Sequence, residues 1–279
     1  MNRSSTDNRS STSDRSTTSD RSTTSDRRAT INATLAQETL ALTVEVLSRE
    51  GIDLMPLKGV LFQRVLYDSP SERGITDVDV LVRPADVDRA HRSLLAAGFR
   101  PQYQPRDAWQ VTLRAPTGFD LDLHYRPFPA ARYRLDAEGM FARAKRNTDL
   151  FGVPVLLADS RDIYGHLIGK FASDHLDGSS ARALAELSRV PKRLSLRPGE
   201  TAQHLETVGL RRASRYALAF VLEAGPDAFA EQVLGSLRSD PVGELLARGA
   251  VEMVRRVDGP SPVGTVAAHL VNDSLPRAA

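Results

Sequence analysis

Aspartate stands at two alternate positions of a short apolar segment, a spacing that can place two carboxylates at one reaction centre. Residues 76–82 read Thr-Asp-Val-Asp-Val-Leu-Val. Because successive side chains of a β-strand point to opposite faces of the sheet, Asp77 and Asp79 share one face while the valines share the other. The segment is therefore predicted to be a strand that presents two carboxylates side by side.

A second segment, later in the chain, shows the same sidedness. Residues 119–124 read Phe-Asp-Leu-Asp-Leu-His, so Asp120, Asp122 and His124 share one face. The pattern does not decide whether Asp120 or Asp122 joins the first pair of aspartates. His124 is expected to orient a neighbouring carboxylate.

Three carboxylates on neighbouring strands predict a site for divalent cations. Such a cluster of like charges raises the pKa of its members, and it is stable in its ionised form mainly when cations lie among the carboxylates. Oxygen ligands favour Mg²⁺ or Mn²⁺. Two such ions can bind nucleotide phosphates, lower the pKa of an attacking hydroxyl and stabilise a pyrophosphate leaving group. The chemistry indicated is phosphoryl or nucleotidyl transfer.

The composition excludes several other chemistries. The 279 residues include no cysteine, which rules out disulfides, thiolate metal sites and a cysteine nucleophile. Lysine and arginine together number 37 against 35 acidic residues, and this excess lies within residues 1–28. The rest of the chain is formally neutral and shows no basic footprint for nucleic acid. Because the sequence has neither a long apolar run nor an apolar leader, we expect a cytoplasmic protein without membrane contact.

The elements that would position the carboxylates begin after a low-complexity tail. In residues 1–28 the hexamer Ser-Thr-Thr-Ser-Asp-Arg recurs and no apolar residue follows Met1, so this tail is expected to be disordered. Residues 29–157 show alternating helical and strand patterns with a hairpin loop at 115–118. They predict an α/β core with a mixed β-sheet.

Helical patterns dominate the remainder of the chain. Residues 158–279 are predicted to form an all-helical C-terminal domain. In its first helix Asp162, His166 and Lys170 follow one another at four-residue spacing, which places them on one polar stripe. Further helices are predicted over residues 178–190, 199–208, 210–224, 226–238 and 241–256.

In combination, the motifs resemble those of a known superfamily. Leu57-Lys58-Gly59 precedes Tyr67, Arg73, the Asp-Val-Asp segment and the sequence Asp122-Leu123-His124. This combination resembles the DNA polymerase β-type nucleotidyltransferases, most closely their uncharacterised bacterial branch. The resemblance implies a polymerase β-like nucleotidyltransferase core. It also implies a reaction that moves a nucleoside monophosphate from an NTP to an acceptor hydroxyl and releases pyrophosphate.

The resemblance further implies roles for the acidic residues. Asp77 and Asp79 would bind the metal ions. Asp122 would supply the third carboxylate, which helps to deprotonate the acceptor hydroxyl, and Asp120 is the competing candidate.

Cationic residues complete the site that the resemblance implies. Lys58 and Arg73 would neutralise triphosphate charge, and Gly59 would allow a close approach to the free N–H groups at a helix N-terminus. Alternatively, Arg73 would pair structurally with Asp77. In the helical half Lys170 would help to hold the triphosphate or the acceptor, unless its stripe is an exposed polar face.

One departure from the superfamily leaves the activity open. Most members have a Gly-Ser pair, whereas Val60 follows Gly59 here and a serine contact to the phosphates is absent. The Lys-Gly variant is similar to nucleotidyltransferase toxins of abortive-infection systems, which leaves a transfer to tRNA or protein open. The sequence does not decide whether the acceptor is a small molecule, a protein or RNA. A catalytically silent nucleotide-binding or partner-binding module of the same fold is the alternative, and a metal-dependent phosphohydrolase is a third possibility. The sequence does not indicate an oligomeric state.

Overall fold

A computed structural model gives the structure for residues 14–102, 109–129, 132–174 and 180–256. These residues form an α/β unit followed by a series of helices, which confirms the predicted fold class. Their buried apolar side chains make one continuous core that extends from the first helix to the ninth. Among the described residues, no helix combines the length and apolarity needed to cross a membrane. The residue boundaries proposed between the two halves stay a prediction.

A five-stranded mixed sheet forms the centre of the α/β unit. Its strands lie in the order β1-β2-β5-β4-β3, and β2 and β5 are parallel while the other neighbours are antiparallel. The two edge strands, β1 and β3, are each two residues long and end in a proline. The five strands are β1 (Met55–Pro56), β2 (Asp77–Leu81), β3 (Arg100–Pro101), β4 (Gln110–Arg114) and β5 (Asp120–His124).

The alternation of the sequence decides which face of the sheet is buried. Val78 and Val80 of β2 and Leu121 and Leu123 of β5 are fully buried on one face, so the aspartates must point to the other. The hairpin between β4 and β5 is closed at Gly118, whose φ of 81° lies in the left-handed region that glycine adopts without steric cost.

The described part of the α/β half contains four α-helices, and the first differs from expectation. Helix α1 includes residues 14–28, which the composition predicted to be disordered. The sequence from Asp14 to Glu50 has neither proline nor glycine, so each further helical turn adds backbone hydrogen bonds without a strong break in propensity. The rest of the predicted tail, residues 1–13, lies outside the described residues. The helices are α1 (Asp14–Arg49), α2 (Lys58–Val65), α3 (Val87–Ala96) and α4 (Ala137–Arg143).

Within the residues that the structure describes, six further α-helices follow a small hairpin of β6 (Lys145–Asn147) and β7 (Val155–Leu157). Their positions agree with the helical patterns of the sequence, although several bounds shift by a few residues. They are α5 (Ser160–Asp174), α6 (Ser180–Arg193), α7 (Pro198–Thr207), α8 (Arg211–Ala224), α9 (Ala228–Ser236) and α10 (Pro241–Arg256).

Candidate active site

The parallel pairing of β2 with β5 brings the two aspartate motifs together. In this register Asp79 lies opposite Asp122, and Asp77 lies opposite Asp120. Oxygen atoms of Asp79 and Asp122 and a ring nitrogen of His124 all lie within 4.8 Å of one another. This group has the donor chemistry and the spacing that a divalent cation requires.

Asp79 is the most enclosed of the four aspartates. Its side chain is 5% exposed, and its Oδ1 accepts a hydrogen bond from Lys58 Nζ at 2.8 Å. His124 Nε2 lies at the same distance from that oxygen. Burial alone would raise the pKa of Asp79, but the Lys58 ammonium and the His124 contact hold it well below its usual value. Asp79 is therefore ionised and paired with a cation from its own chain.

Asp122 is held by the neighbouring antiparallel strand. Gln110 Nε2 and Thr112 Oγ1, both on β4, donate to its two carboxylate oxygens at 2.7 Å each. The side chain stays half-buried. Asp120 instead forms an ion pair with Arg114, whose Nε lies 2.9 Å from Asp120 Oδ1. Of the two candidates for the third carboxylate, Asp122 thus lies in the group with Asp79 and Asp120 does not.

Asp77 lies beside this group, and the neighbouring carboxylates repel its negative charge. Burial raises its pKa to about 6, and the negative charges of Asp79 and Asp122 add to the shift. Lys58 counteracts the shift only in part. A divalent cation would relieve this repulsion, so the carboxylates fit the metal that the sequence predicts.

Lys58 and Gly59 open helix α2 directly beside the carboxylates. The backbone N–H of Leu57 donates to the carbonyl oxygen of Asp79 at 2.9 Å, which fixes the start of the helix next to β2. A Cβ atom added at Gly59 would lie 3.1 Å from Arg73 Nη1 and 3.3 Å from Ile75 Cγ2. A larger residue there would have to displace Arg73 or Ile75 by a few tenths of an ångström, so the position favours glycine.

Arg73 has a different partner from the one considered in the sequence. Its Nε donates to Oε1 of Glu186 on helix α6 at 2.7 Å, and the hydroxyl of Tyr67 donates to the same oxygen at 3.2 Å. The alternative in which Arg73 pairs with Asp77 is therefore wrong. Glu186 was not among the residues predicted from the sequence. Its signal is an acidic residue beside the apolar positions Leu187 and Val190 of an amphipathic helix.

The polar stripe of α5 faces the interior at two of its positions. His166 is 3% exposed and its ring lies edge-on to Phe128, with 5.2 Å between ring centroids. Burial lowers the pKa of His166 to about 3, and the positive charge of Lys58 contributes. Asp162 is fully buried between Arg143 and His204. Lys170 is half-buried, and its charge also lowers the pKa of His166.

The comparison with protein families gives one match. A family described as "Uncharacterised nucleotidyltransferase" matches residues 18–224, which is more than half of the chain. The matched range contains every residue that the sequence analysis placed in the site. No curated protein matches the chain.

Solved structures show distant similarity. The antibiotic-resistance factor ANT(2'')-Ia is 13% identical at a TM-score of 0.45, over 70% of this chain and 98% of its own. An antigenic nucleotidyltransferase-like protein from Paracoccidioides brasiliensis is 17% identical at a TM-score of 0.43, over 78% of this chain and 96% of its own. The lincosamide antibiotic adenylyltransferase LnuA is 12% identical at a TM-score of 0.38, over 55% of this chain and 96% of its own.

Proposed function

The chain belongs to the uncharacterised nucleotidyltransferase family, and from this premise we propose that it transfers a nucleoside monophosphate from an NTP to an acceptor hydroxyl. In this reaction the bond from the acceptor oxygen to the α-phosphorus forms. The bond from the α-phosphorus to the bridging oxygen breaks, and pyrophosphate leaves. The observation that supports the proposal most directly is the grouping of Asp79, Asp122 and His124 beside a lysine at a helix N-terminus.

Asp77, Asp79 and Asp122 would hold Mg²⁺ or Mn²⁺. When bound, such ions supply Lewis-acid stabilisation of phosphate charge and lower the pKa of a coordinated hydroxyl. His124 orients Asp79 through the contact to Oδ1. Asp122 receives the proton of the acceptor hydroxyl on a carboxylate oxygen, and Gln110 and Thr112 fix the direction of that carboxylate.

Lys58 and the start of α2 would bind the phosphates. The lysine lies next to free N–H groups of the first helical turn, where both the dipole and the donors favour anions. Arg73 adds a second cation beside Gly59. Lys170 of α5 is the proposed contact from the helical half to the triphosphate or the acceptor.

A catalytically silent nucleotide-binding or partner-binding module is the second candidate, and one observation favours it. Lys58 already satisfies Asp79 Oδ1, so the carboxylate has a cationic partner without any metal. A silent module predicts nucleotide binding without turnover.

The deciding experiment follows the label of each α-³²P NTP. The purified full chain is incubated with Mg²⁺ or Mn²⁺ and a cell extract, in parallel with an Asp77→Asn, Asp79→Asn double variant. We expect the wild type alone to transfer label, and the labelled fraction identifies the acceptor as small molecule, protein or RNA. Bound nucleotide with no transfer would replace the transferase by the silent module. Release of inorganic phosphate in place of pyrophosphate would indicate a phosphohydrolase.

A further inference from the structure

Helix α6 contacts the segment between α2 and β2 through the carboxylate of Glu186. Tyr67 and Arg73, both in the segment between α2 and β2, donate to the same oxygen of Glu186. The side chain of Glu186 is 4% exposed and that of Arg73 is 10% exposed. A pair with so little access to water is strongly coupled, because either charge alone would be left unsolvated.

The backbone of Arg73 is fixed as well. Gln63 of α2 is buried, and its Nε2 donates to the carbonyl oxygens of Arg73 and Pro70 at 2.9 and 3.0 Å. Arg73 is thus held at its main chain by α2 and at its guanidinium by α6. Both anchors restrict the side chain to one direction.

That direction is toward the start of α2. With Nε bonded to Glu186, Nη1 of Arg73 lies next to Gly59, close enough that a Cβ there would be only 3.1 Å away. Gly59 follows Lys58, whose Nζ is 2.8 Å from Asp79. The guanidinium therefore lies beside the helix N-terminus, at the residue that follows the lysine bound to Asp79.

We propose that Glu186 is a positioning residue, which holds Arg73 so that its guanidinium contacts the β- and γ-phosphates of the nucleotide. This inference rests on the proposed function, since it assumes that an NTP binds at the start of α2. It assigns to the helical half a part in nucleotide binding. It also gives a role to Tyr67, whose hydroxyl donates the second hydrogen bond to Glu186. Arginine suits this task because Nε donates to the carboxylate while Nη1 projects from the other side of the planar guanidinium, next to Gly59.

The test measures how Glu186→Gln changes nucleotide affinity and whether the change depends on the number of phosphates in the nucleotide. Equilibrium binding to the full chain with Mg²⁺ is compared for the α,β-methylene analogue of each NTP and for the matching nucleoside monophosphate. A misdirected Arg73 should weaken binding of the triphosphate analogue by about tenfold. Binding of the monophosphate should change by less than about twofold, because Arg73 acts on the phosphates that the monophosphate lacks.

Two further variants separate positioning from packing. In an Arg73→Gln background, Glu186→Gln should have no additional effect on triphosphate affinity, because the group that it positions is gone. Asp68→Asn is the matched control. It removes another contact between the same loop and α6, the exposed ion pair of Asp68 with Arg193, and should leave nucleotide affinity unchanged.

The outcomes distinguish this inference from the proposed function. Unchanged triphosphate affinity in Glu186→Gln, in a protein whose wild type binds the analogue, would overturn the positioning role alone. An equal loss for monophosphate and triphosphate would show a merely structural contact and would also overturn it. A wild type that binds no nucleotide would overturn the proposed function itself. If Glu186→Gln fails to fold, Glu186→Asp keeps the charge but shortens the side chain, and it should weaken triphosphate binding several-fold.

Discussion

Asp79 and Asp122 lie directly opposite each other on two parallel strands. This relationship separates Asp122 from Asp120, because Asp122 lies in one group with Asp79 and His124, whereas Asp120 pairs with Arg114. We expect Asp122→Asn to lower the rate of pyrophosphate release by roughly 10²-fold or more, since it removes the oxygen that accepts the acceptor's proton. Asp120→Asn, which loses a contact with Arg114, should retain most of the wild-type rate. Equal losses in both variants would contradict this assignment.

Asp77 should destabilise the metal-free protein above its pKa. Its folded pKa of about 6 exceeds the usual value of 3.8, so the folded state binds more protons and loses stability as the pH rises from 3.8 through 6. At pH 8 without metal, Asp77→Asn should therefore raise the free energy of unfolding by roughly 1–3 kcal/mol. Urea unfolding with EDTA measures the change. Adding Mg²⁺ should stabilise the wild type more than the variant, and a variant less stable than the metal-free wild type would argue against repulsion at this site.

His166 should make the folded state sensitive to mild acid. Its folded pKa of about 3 lies below the usual 6.5, so between these values the unfolded state binds one more proton than the folded state. The stability is complete above pH 6.5 and falls as the pH decreases, by about 2 kcal/mol at pH 5 from this residue alone. His166→Gln should show a correspondingly weaker loss between pH 7 and pH 5 in urea unfolding. Parallel losses in the two proteins would mean that His166 takes up its proton between pH 7 and pH 5 in the folded state as it does in the unfolded state.

Asp162 should be one of the costliest carboxylates to remove. It is fully buried, accepts two hydrogen bonds from Arg143 at 2.9 Å, and lies 2.8 Å from His204 Nε2. Asp162→Ala should lower the free energy of unfolding by about 1.5–3 kcal/mol, because it removes the buried acceptor that Arg143 and His204 share. The exposed Asp68 is the comparison, and Asp68→Asn should cost less than about 1 kcal/mol. Similar costs for the two variants would show that Asp162 is solvated.

The carboxylate motifs were predictable because their geometry is local. The alternation of Asp with Val and Leu determines the face of each strand, and the structure places Val78 and Leu121 in the core as that alternation requires. The register that sets Asp79 against Asp122 is not local, since it depends on a parallel crossover.

The short elements α4, β6 and β7 were missed because segments of three to seven residues show too little periodicity.

The contact of Arg73 with Glu186 could not be predicted for a related reason. The two residues are 113 positions apart, and their contact depends on how α6 packs against the α/β half. From the sequence, Arg73 was expected to neutralise triphosphate charge, and the only protein partner considered for it was the nearby Asp77. Residues 14–28 were expected to belong to a disordered tail because composition measures the lack of apolar residues but not the lack of helix breakers.

The short outer strands have a consequence for how copies of the protein meet. An unpaired strand at the side of a sheet is a template on which another chain can add a strand, and this is a common route to aggregation. Here both outer strands contain a proline, Pro56 or Pro101, which lacks the N–H needed for such pairing. Leu54, just before β1, already accepts a hydrogen bond from Leu156 of β7. We therefore expect any self-association to use helix surfaces and not strand addition to this sheet.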